Sequence, residues 1–122
     1  MFERYDFVIA YKISNILVRA QIQDICSRAT TSLEFADDLK SLETLIAKQI
    51  SKRSLIVCDL AEIFGNEEFQ ELIDFAKSKD LQILGKYPHV SVELGKRASR
   101  AGIHYVVTNS RLKRRLQEIL GG

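Results

Sequence analysis

The sequence predicts an α/β fold in which helices cover both faces of a parallel sheet. Five short apolar runs of strand type alternate with five helical patterns along the 122 residues, and the links between them are short. Parallel strands need a crossover connection, usually a helix, so this alternation favours a parallel sheet. With 46% hydrophobic residues and no linker or repeat, residues 1–122 are expected to form one domain.

The five predicted strands are short runs rich in apolar and β-branched residues. They cover residues 7–11, 32–35, 55–58, 81–84 and 103–107. The third run is apolar throughout, as expected of a strand buried on both faces. The second run, SLEF, is weak and is predicted to lie at an edge of the sheet.

Five helices are predicted, and capping residues mark the start of three of them. Including those caps, they cover residues 14–29, 37–50, 66–79, 91–102 and 111–120. Ser14 and Asn15 are good N-cap residues for the first helix, and Asp37 and Asp38 are good N-cap residues for the second. Ser91 is predicted to cap the fourth.

An acidic residue, Asp59, ends the third strand in the run IVCDL at residues 56–60. For a flavodoxin-like strand order of 2-1-3-4-5, the order reverses between the first and third strands. Ligands of such sheets bind at the carboxyl ends of the strands at that point. The topology therefore places Asp59 in the predicted ligand crevice.

Three features give the chain a resemblance to response-regulator receiver domains: the IVCDL run, the order of elements, and AG at 101–102 followed by YVV at 105–107. The resemblance covers essentially the whole chain. It implies an acidic pair after the first strand that holds Mg²⁺ and a phospho-accepting Asp that ends the third strand. It also implies a Thr or Ser that ends the fourth strand and a Lys that ends the fifth. The metal and the lysine would offset charge on the phosphoryl oxygens.

Carried over position by position, the family's site keeps only its acceptor, Asp59. The changed positions are Tyr11 and Lys12 in place of the acidic pair, Gly85 in place of the Thr or Ser, and Thr108 or, with a register slip of one, Asn109 in place of the Lys. Neither a phenol nor an ammonium replaces a carboxylate as a Mg²⁺ ligand. The resemblance therefore implies a pseudo-receiver, with no metal and no other cofactor.

Lys12 is predicted to contact Asp59 directly and to take the place of the metal, because an ammonium can pair with a carboxylate. Asp37 and Asp38 could instead supply substitute metal ligands at the end of the second strand, although their place before a helix suits N-capping. Asp59 itself is then a salt-bridged or loop-capping residue, an atypical phospho-acceptor, or part of a binding site.

A segment with Gly and Pro, GKYPH at residues 85–89, is predicted to form a loop on the same rim as Asp59. Its residues Lys86, Tyr87 and His89, together with Tyr11, form a candidate recognition rim. His89 could titrate near neutral pH, although a single loop histidine is more often an ordinary surface residue.

The first helix carries more apolar residues than one buried face needs. One stripe comprises Val18, Ile22, Ile25, Cys26 and Ala29, and a second comprises Ile13, Ile16, Leu17 and Ala20. Packing against the sheet and the last helix would bury the second stripe. If that stripe stays exposed, it favours a homodimer or a partner helix.

Charge is unevenly distributed along the chain, whose formal net charge is +2. Residues 1–85 carry ten Lys/Arg and fourteen Asp/Glu, whereas residues 86–122 carry eight Lys/Arg and two Asp/Glu. Seven cations and no carboxylate fall within residues 96–115. They define the basic face: Lys96, Arg97, Arg100, Arg111, Lys113, Arg114 and Arg115. Like charges disfavour a homodimer there, so an acidic protein partner is expected. Nucleic acid is the weaker alternative because Tyr105 alone is available for stacking.

Several function classes lack their motifs in this sequence. GxGxxG, GxxxxGK[ST] and GxSxG are absent, the segment after the first strand has no glycine to admit a flavin phosphate, and neither histidine has a ligand partner at metal-binding spacing. No enzyme is therefore expected.

Cys26 and Cys58 lie in apolar runs and are predicted to be buried thiols of a reducing cytoplasm. No apolar run has the length of a membrane span or a signal peptide.

The sequence-based hypothesis is a stand-alone pseudo-receiver, a regulatory protein-interaction module that works without phosphorylation. The first alternative is an atypical response regulator that accepts a phosphoryl group on Asp59. The second is a small nucleic-acid-associated protein that uses the basic face.

Overall fold

The structure, a computed structural model, describes residues 5–49, 52–65 and 67–121. Its five-stranded sheet is parallel and has the order β2-β1-β3-β4-β5. The strands are β1 (Phe7–Tyr11), β2 (Ser32–Ala36), β3 (Ser54–Asp59), β4 (Gln82–Tyr87) and β5 (Tyr105–Thr108). The predicted fold class and strand order are confirmed, and β2 lies at an edge as expected.

The described ranges contain six helices. They are α1 (Ile16–Arg28), α2 (Leu39–Lys48), α3 (Leu60–Ile63), α4 (Glu67–Ser78), α5 (Val92–Arg100) and α6 (Leu112–Leu120), with a 3₁₀ turn (Asn109–Arg111) before α6. The sequence does not predict α3, because one helical turn is too short to show a period. The predicted helix boundaries at Ile50 and Asn66 lie outside the described residues. None of the helices described is both long enough and apolar enough to cross a bilayer.

Side-chain capping follows the prediction for two helices. Asn15 Oδ1 accepts hydrogen bonds from two backbone N–H groups in the first turn of α1. Asp38 Oδ1 accepts one from the Ser41 backbone N–H at 2.7 Å, which caps α2. Ser91 stands at the N-cap position of α5, but its side chain makes no capping hydrogen bond. Beyond the other end of α5, Gly102 has a φ of +101°, a conformation that favours glycine.

The sheet carries one hydrophobic cluster on each face. Ile9 and Ile56 belong to the cluster under α2, α4 and α5. Val8 and Val57 belong to the cluster under α1 and α6. All four side chains are fully buried. This alternation follows from the two-residue period of a strand, so both faces of the sheet are covered, as predicted.

α1 buries its first apolar stripe and exposes most of the second. Ile22 and Ile25 of the first stripe are buried, and in the second stripe Ile13, which precedes the helix, is buried as well. Ile16 and Leu17 are 79% and 74% exposed. α6 packs against α1 but leaves the first turn of α1 uncovered, so the alternative with an exposed apolar patch applies to this turn.

Candidate functional site

Asp59 is the last residue of β3 and lies at the carboxyl end of the sheet, where the strand order reverses, as the sequence predicts. It also caps α3, since its Oδ1 accepts a hydrogen bond from the Ala61 backbone N–H at 3.1 Å. Its side chain is 21% exposed. One carboxylate oxygen therefore holds the start of α3, and the other faces the rim of the sheet.

The second oxygen of Asp59 is held by Lys86, which pairs with it in register on β4. Lys86 Nζ lies 3.0 Å from Asp59 Oδ2 and 3.1 Å from Asn109 Oδ1. The Lys86 side chain is only 7% exposed. One buried ammonium thus joins the end of β3 to the turn after β5. Asp59, Lys86 and Asn109 are called the rim clasp below.

Lys86 and Tyr87 lie in β4 and not in a rim loop, which corrects the prediction for GKYPH. β4 continues to Tyr87 because its last two residues pair with β5. The buried ammonium of Lys86 is tolerated in the strand because two oxygen atoms accept its hydrogen bonds. Tyr87 packs against Gly95, where a Cβ would lie 2.5 Å from the tyrosine ring. His89 does lie in the loop after β4, and its side chain is exposed.

The predicted contact between Lys12 and Asp59 is wrong. Lys12 Nζ pairs instead with Glu68 Oε1 at 2.7 Å. The physical reason is that each ammonium has its own carboxylate: Lys86 takes the second oxygen of Asp59, and Glu68, in the first turn of α4, takes Lys12. Lys12 also has a left-handed backbone, with φ at +53°, directly after β1.

Tyr11 and Glu68 lie on the side of the rim where the resemblance places the acidic pair. Burial raises the pKa of the Tyr11 hydroxyl, and the neighbouring Glu68 carboxylate raises this pKa further. The phenol therefore stays neutral at physiological pH. The sequence analysis does not identify Glu68 as a site residue. The available signal was its position, because a helix that follows a parallel strand starts near the carboxyl rim.

Gly85 does not stand opposite Asp59, because it pairs with Cys58, one residue earlier. A Cβ on Gly85 would lie 2.8 Å from Leu60 Cγ, and Leu60 is fully buried. Close packing of α3 against β4 therefore explains a glycine at this position. The residue of β4 that faces Asp59 is Lys86.

Of the two residues considered at the end of β5, Asn109 is the one that reaches the site. It begins the 3₁₀ turn and accepts the hydrogen bond from Lys86. Thr108 ends β5, and its Oγ1 lies 3.4 Å from Ser110 Oγ. The site therefore receives a neutral acceptor from this segment and its cation from β4.

The rim does not fit the Mg²⁺ ion that the receiver fold implies. Within residues 5–49, 52–65 and 67–121, no cluster of three or more His, Cys, Asp or Glu could hold a metal. Asp59 is the remaining carboxylate of the family pattern, and it contacts an ammonium. The alternative ligands serve elsewhere: Asp37 lies 3.6 Å from Arg19, and Asp38 caps α2. The hydrogen bond from the Ser41 backbone N–H holds the pKa of Asp38 below its usual value.

The seven cations of the basic face lie on the elements on both sides of the edge strand β5. All are exposed except Arg115, which is partly buried. The Arg97 guanidinium lies 5.8 Å from the centroid of the Phe64 ring. Arg114 and Arg115 each lie 3.6 Å from a carboxylate oxygen of Glu118. Glu118 follows the carboxylate-free window in the sequence, yet its helical spacing brings it back to these arginines.

No model of a known protein family matches the chain, and no curated protein matches it in sequence. Its fold is similar to that of solved response regulators. A response regulator from Thermotoga maritima gives a TM-score of 0.73 at 13% identity, over 97% of this chain and 99% of that one. The beryllofluoride-activated NtrC4 receiver domain dimer gives 0.71 at 17% identity, over 95% of this chain and 93% of that one.

NtrX from Brucella abortus gives a TM-score of 0.70 at 19% identity. The match covers 98% of this chain but only 27% of the NtrX chain. The protein therefore has the fold of a response-regulator receiver domain. At these identities, the likeness establishes the fold alone.

Proposed function

We propose that this protein is a pseudo-receiver, a regulatory protein-interaction module that works without phosphorylation. The likeness to solved response regulators supports a role in signal transduction. The rim clasp is the observation that carries the proposal. The same proposal includes that residues 1–122 form one domain and that its role is non-catalytic and cytoplasmic.

The rim clasp disfavours a phosphoryl group on Asp59. Phosphorylation of an aspartate needs an accessible carboxylate oxygen and cations that offset the new charge. Here Oδ1 caps α3 and Oδ2 contacts the Lys86 ammonium at 3.0 Å. A phosphoryl group would displace this contact, and Lys86 alone would have to offset its charge, because the described residues hold no cluster of His, Cys, Asp or Glu that could bind Mg²⁺. The clasp therefore favours the unmodified aspartate.

Incubation with acetyl phosphate and Mg²⁺, followed by intact-mass measurement, tests this proposal. We expect no phosphoryl adduct on the wild type, while an active receiver domain in the same tube is modified. Asp59→Asn is the matched control because asparagine can still cap α3. An adduct on the wild type that is absent from this variant would establish the alternative, an atypical response regulator with Asp59 as acceptor.

We propose that the basic face binds an acidic protein surface. Its cations lie beside an edge strand, and six of the seven side chains are exposed. A two-fold pairing of this face would set like charges against each other, which disfavours a homodimer there. If the protein forms a homodimer, the exposed Ile16 and Leu17 offer an uncharged surface for it.

Nucleic acid is the alternative partner of the basic face. The Arg115 guanidinium lies 5.1 Å from the centroid of the Tyr105 ring and so covers one face of that ring. This contact competes with base stacking on Tyr105. Fluorescence anisotropy with a labelled oligonucleotide should therefore show no binding at physiological salt. Tight binding with a steep salt dependence would favour the alternative.

A further inference from the structure

An open cleft between β5 and α6 is lined by arginines. It has a volume of about 460 Å³ and is lined by Val107, Arg111, Arg114, Arg115 and Glu118. Three guanidinium groups and one carboxylate meet there, so positive charge is in excess. The planar guanidinium carries five N–H donors that match the two oxygens of a carboxylate.

Glu118 shows how this cleft holds a carboxylate. Its Oε1 lies 3.6 Å from Arg114 Nε, and its Oε2 lies 3.6 Å from Arg115 Nη1. Both distances exceed that of a hydrogen bond. The Glu118 side chain is 54% exposed, so the two ion pairs are weak. Arg111 forms no ion pair with the part of the chain that the structure describes.

We infer that the β5–α6 cleft binds a carboxylate side chain of the acidic partner, and that Glu118 is an internal competitor for the same arginines. This inference rests on the proposed function, because it names the place where the partner docks. An incoming carboxylate can approach Arg111 as well as the two arginines that Glu118 holds at 3.6 Å. Glu118 can turn into solvent as the partner enters. Val107 supplies apolar surface for the methylene groups of an acidic side chain.

The cleft suits recognition of an anionic group more than recognition of a base. The contact of Arg115 with Tyr105 occupies the aromatic ring next to the cleft, which leaves hydrogen bonding and charge as the means of recognition. Those interactions recognise carboxylates and phosphates alike, and the position of Glu118 shows that a carboxylate can lie next to these arginines. The excess positive charge then favours a partner segment rich in Glu or Asp.

Titration with an oligoglutamate peptide at low salt, followed by amide NMR, tests the inference. Glu118→Gln is compared with Glu71→Gln, which makes the same change of net charge at an exposed position of α4, away from the cleft. Arg111→Gln is compared with Lys113→Gln, which removes an exposed cation of α6 that does not line the cleft. Unchanged backbone spectra in the absence of peptide verify that each variant is folded.

The two variants of each pair should differ in their affinity for the peptide. We expect Glu118→Gln to tighten peptide binding roughly 2- to 5-fold relative to Glu71→Gln, because it removes the competing carboxylate. Arg111→Gln should weaken binding by a similar factor relative to Lys113→Gln, and the peptide should shift the amides of Val107 and of α6. Equal effects within each pair would mean that the carboxylate does not bind in the β5–α6 cleft. The proposal that the basic face binds an acidic partner would still stand.

Two further outcomes separate the inference from the proposed function. If the wild type does not bind oligoglutamate even at low salt, the acidic partner is wrong, and the cleft inference falls with it. If an oligonucleotide of equal charge binds more tightly than the peptide and its binding depends on Arg111 in the same way, the cleft is a phosphate-binding site. The inference that it binds a carboxylate of a protein partner is then wrong.

Discussion

Lys86 Nζ lies 3.0 Å from Asp59 Oδ2, and the two residues face each other across paired strands. The receiver resemblance places a lysine at the end of β5, whereas this chain places one on β4 and supplies Asn109 from the segment after β5. The ammonium therefore contacts the aspartate directly. An ammonium of the chain itself therefore offsets the charge of Asp59.

Asp59 and Lys86 are expected to stabilise the fold as a pair. Asp59→Asn leaves a buried ammonium with a neutral acceptor and should lower the free energy of unfolding by about 2–4 kcal/mol. Lys86→Met leaves a carboxylate that water can reach and should cost about 1–2 kcal/mol. The double variant should lose at least about 1 kcal/mol less than the sum of the single losses. Urea denaturation measures all four proteins, and strictly additive losses would argue against a direct interaction.

Lys12 is expected to contribute less than Lys86. Its pair with Glu68 is partly exposed, with the Lys12 side chain at 33%. Lys12→Met should therefore lower the free energy of unfolding by only about 0–1 kcal/mol. The same urea measurement compares it with Lys86→Met, which makes the same chemical change at a buried site. A loss at Lys12 as large as that at Lys86 would mean that Lys12 also holds a carboxylate of the buried site.

Gly85 is expected to resist any larger side chain. In Gly85→Ala, the new Cβ would lie 2.8–2.9 Å from three atoms of the buried Leu60 side chain. This overpacking should destabilise the protein by about 1–3 kcal/mol. In a Leu60→Ala background, the same substitution should cost much less because the opposing atoms are gone. If Gly85→Ala is harmless in the wild type, close packing does not explain the glycine.

Stability is expected to decrease at alkaline pH through the Cys58 thiol. Burial raises the pKa of Cys58 from 9.0 to about 12, and the charge of Asp59 contributes to the shift. The folded protein therefore holds this proton more tightly than the unfolded chain. The stabilisation is fully present below about pH 9 and is lost as the pH rises towards 12, by up to about 1.4 kcal/mol per pH unit.

The comparison of wild type with Cys58→Ala isolates that effect. Urea denaturation at several pH values above 9 should give a shallower decrease of the free energy of unfolding in the variant. The slopes are compared, since the alanine also leaves a small cavity that lowers stability at every pH. Identical slopes would mean that the Cys58 thiol does not retain its proton on folding.

The fold was predictable from the sequence because each apolar run and each helical period agrees with the same topology. The position of Asp59 followed from that topology. The partner of Asp59 did not, because a charged residue normally ends an apolar run and the predicted fourth strand stopped before Lys86. Pairing with β5 and two oxygen acceptors extend the strand through this lysine.

Glu68 and Glu118 show a second limit of sequence reasoning. A helical period distinguishes the buried face of a helix from its outer face, but it does not show which outer residues lie near a neighbouring element. Glu68 meets Lys12 because α4 begins at the rim of the sheet. Glu118 meets two arginines because it lies one turn after them on α6. Both contacts depend on position in the folded chain more than on residue type.

The most direct test of the central claim is an amide NMR titration with Mg²⁺ and beryllofluoride, a phosphoryl mimic, on the wild type and on Asp59→Ala. A site closed by the rim clasp should give no shifts around Asp59, Gly85 and Thr108 beyond those caused by salt alone, in either protein. Shifts at these residues in the wild type that vanish in Asp59→Ala would show a working acceptor and would contradict the pseudo-receiver.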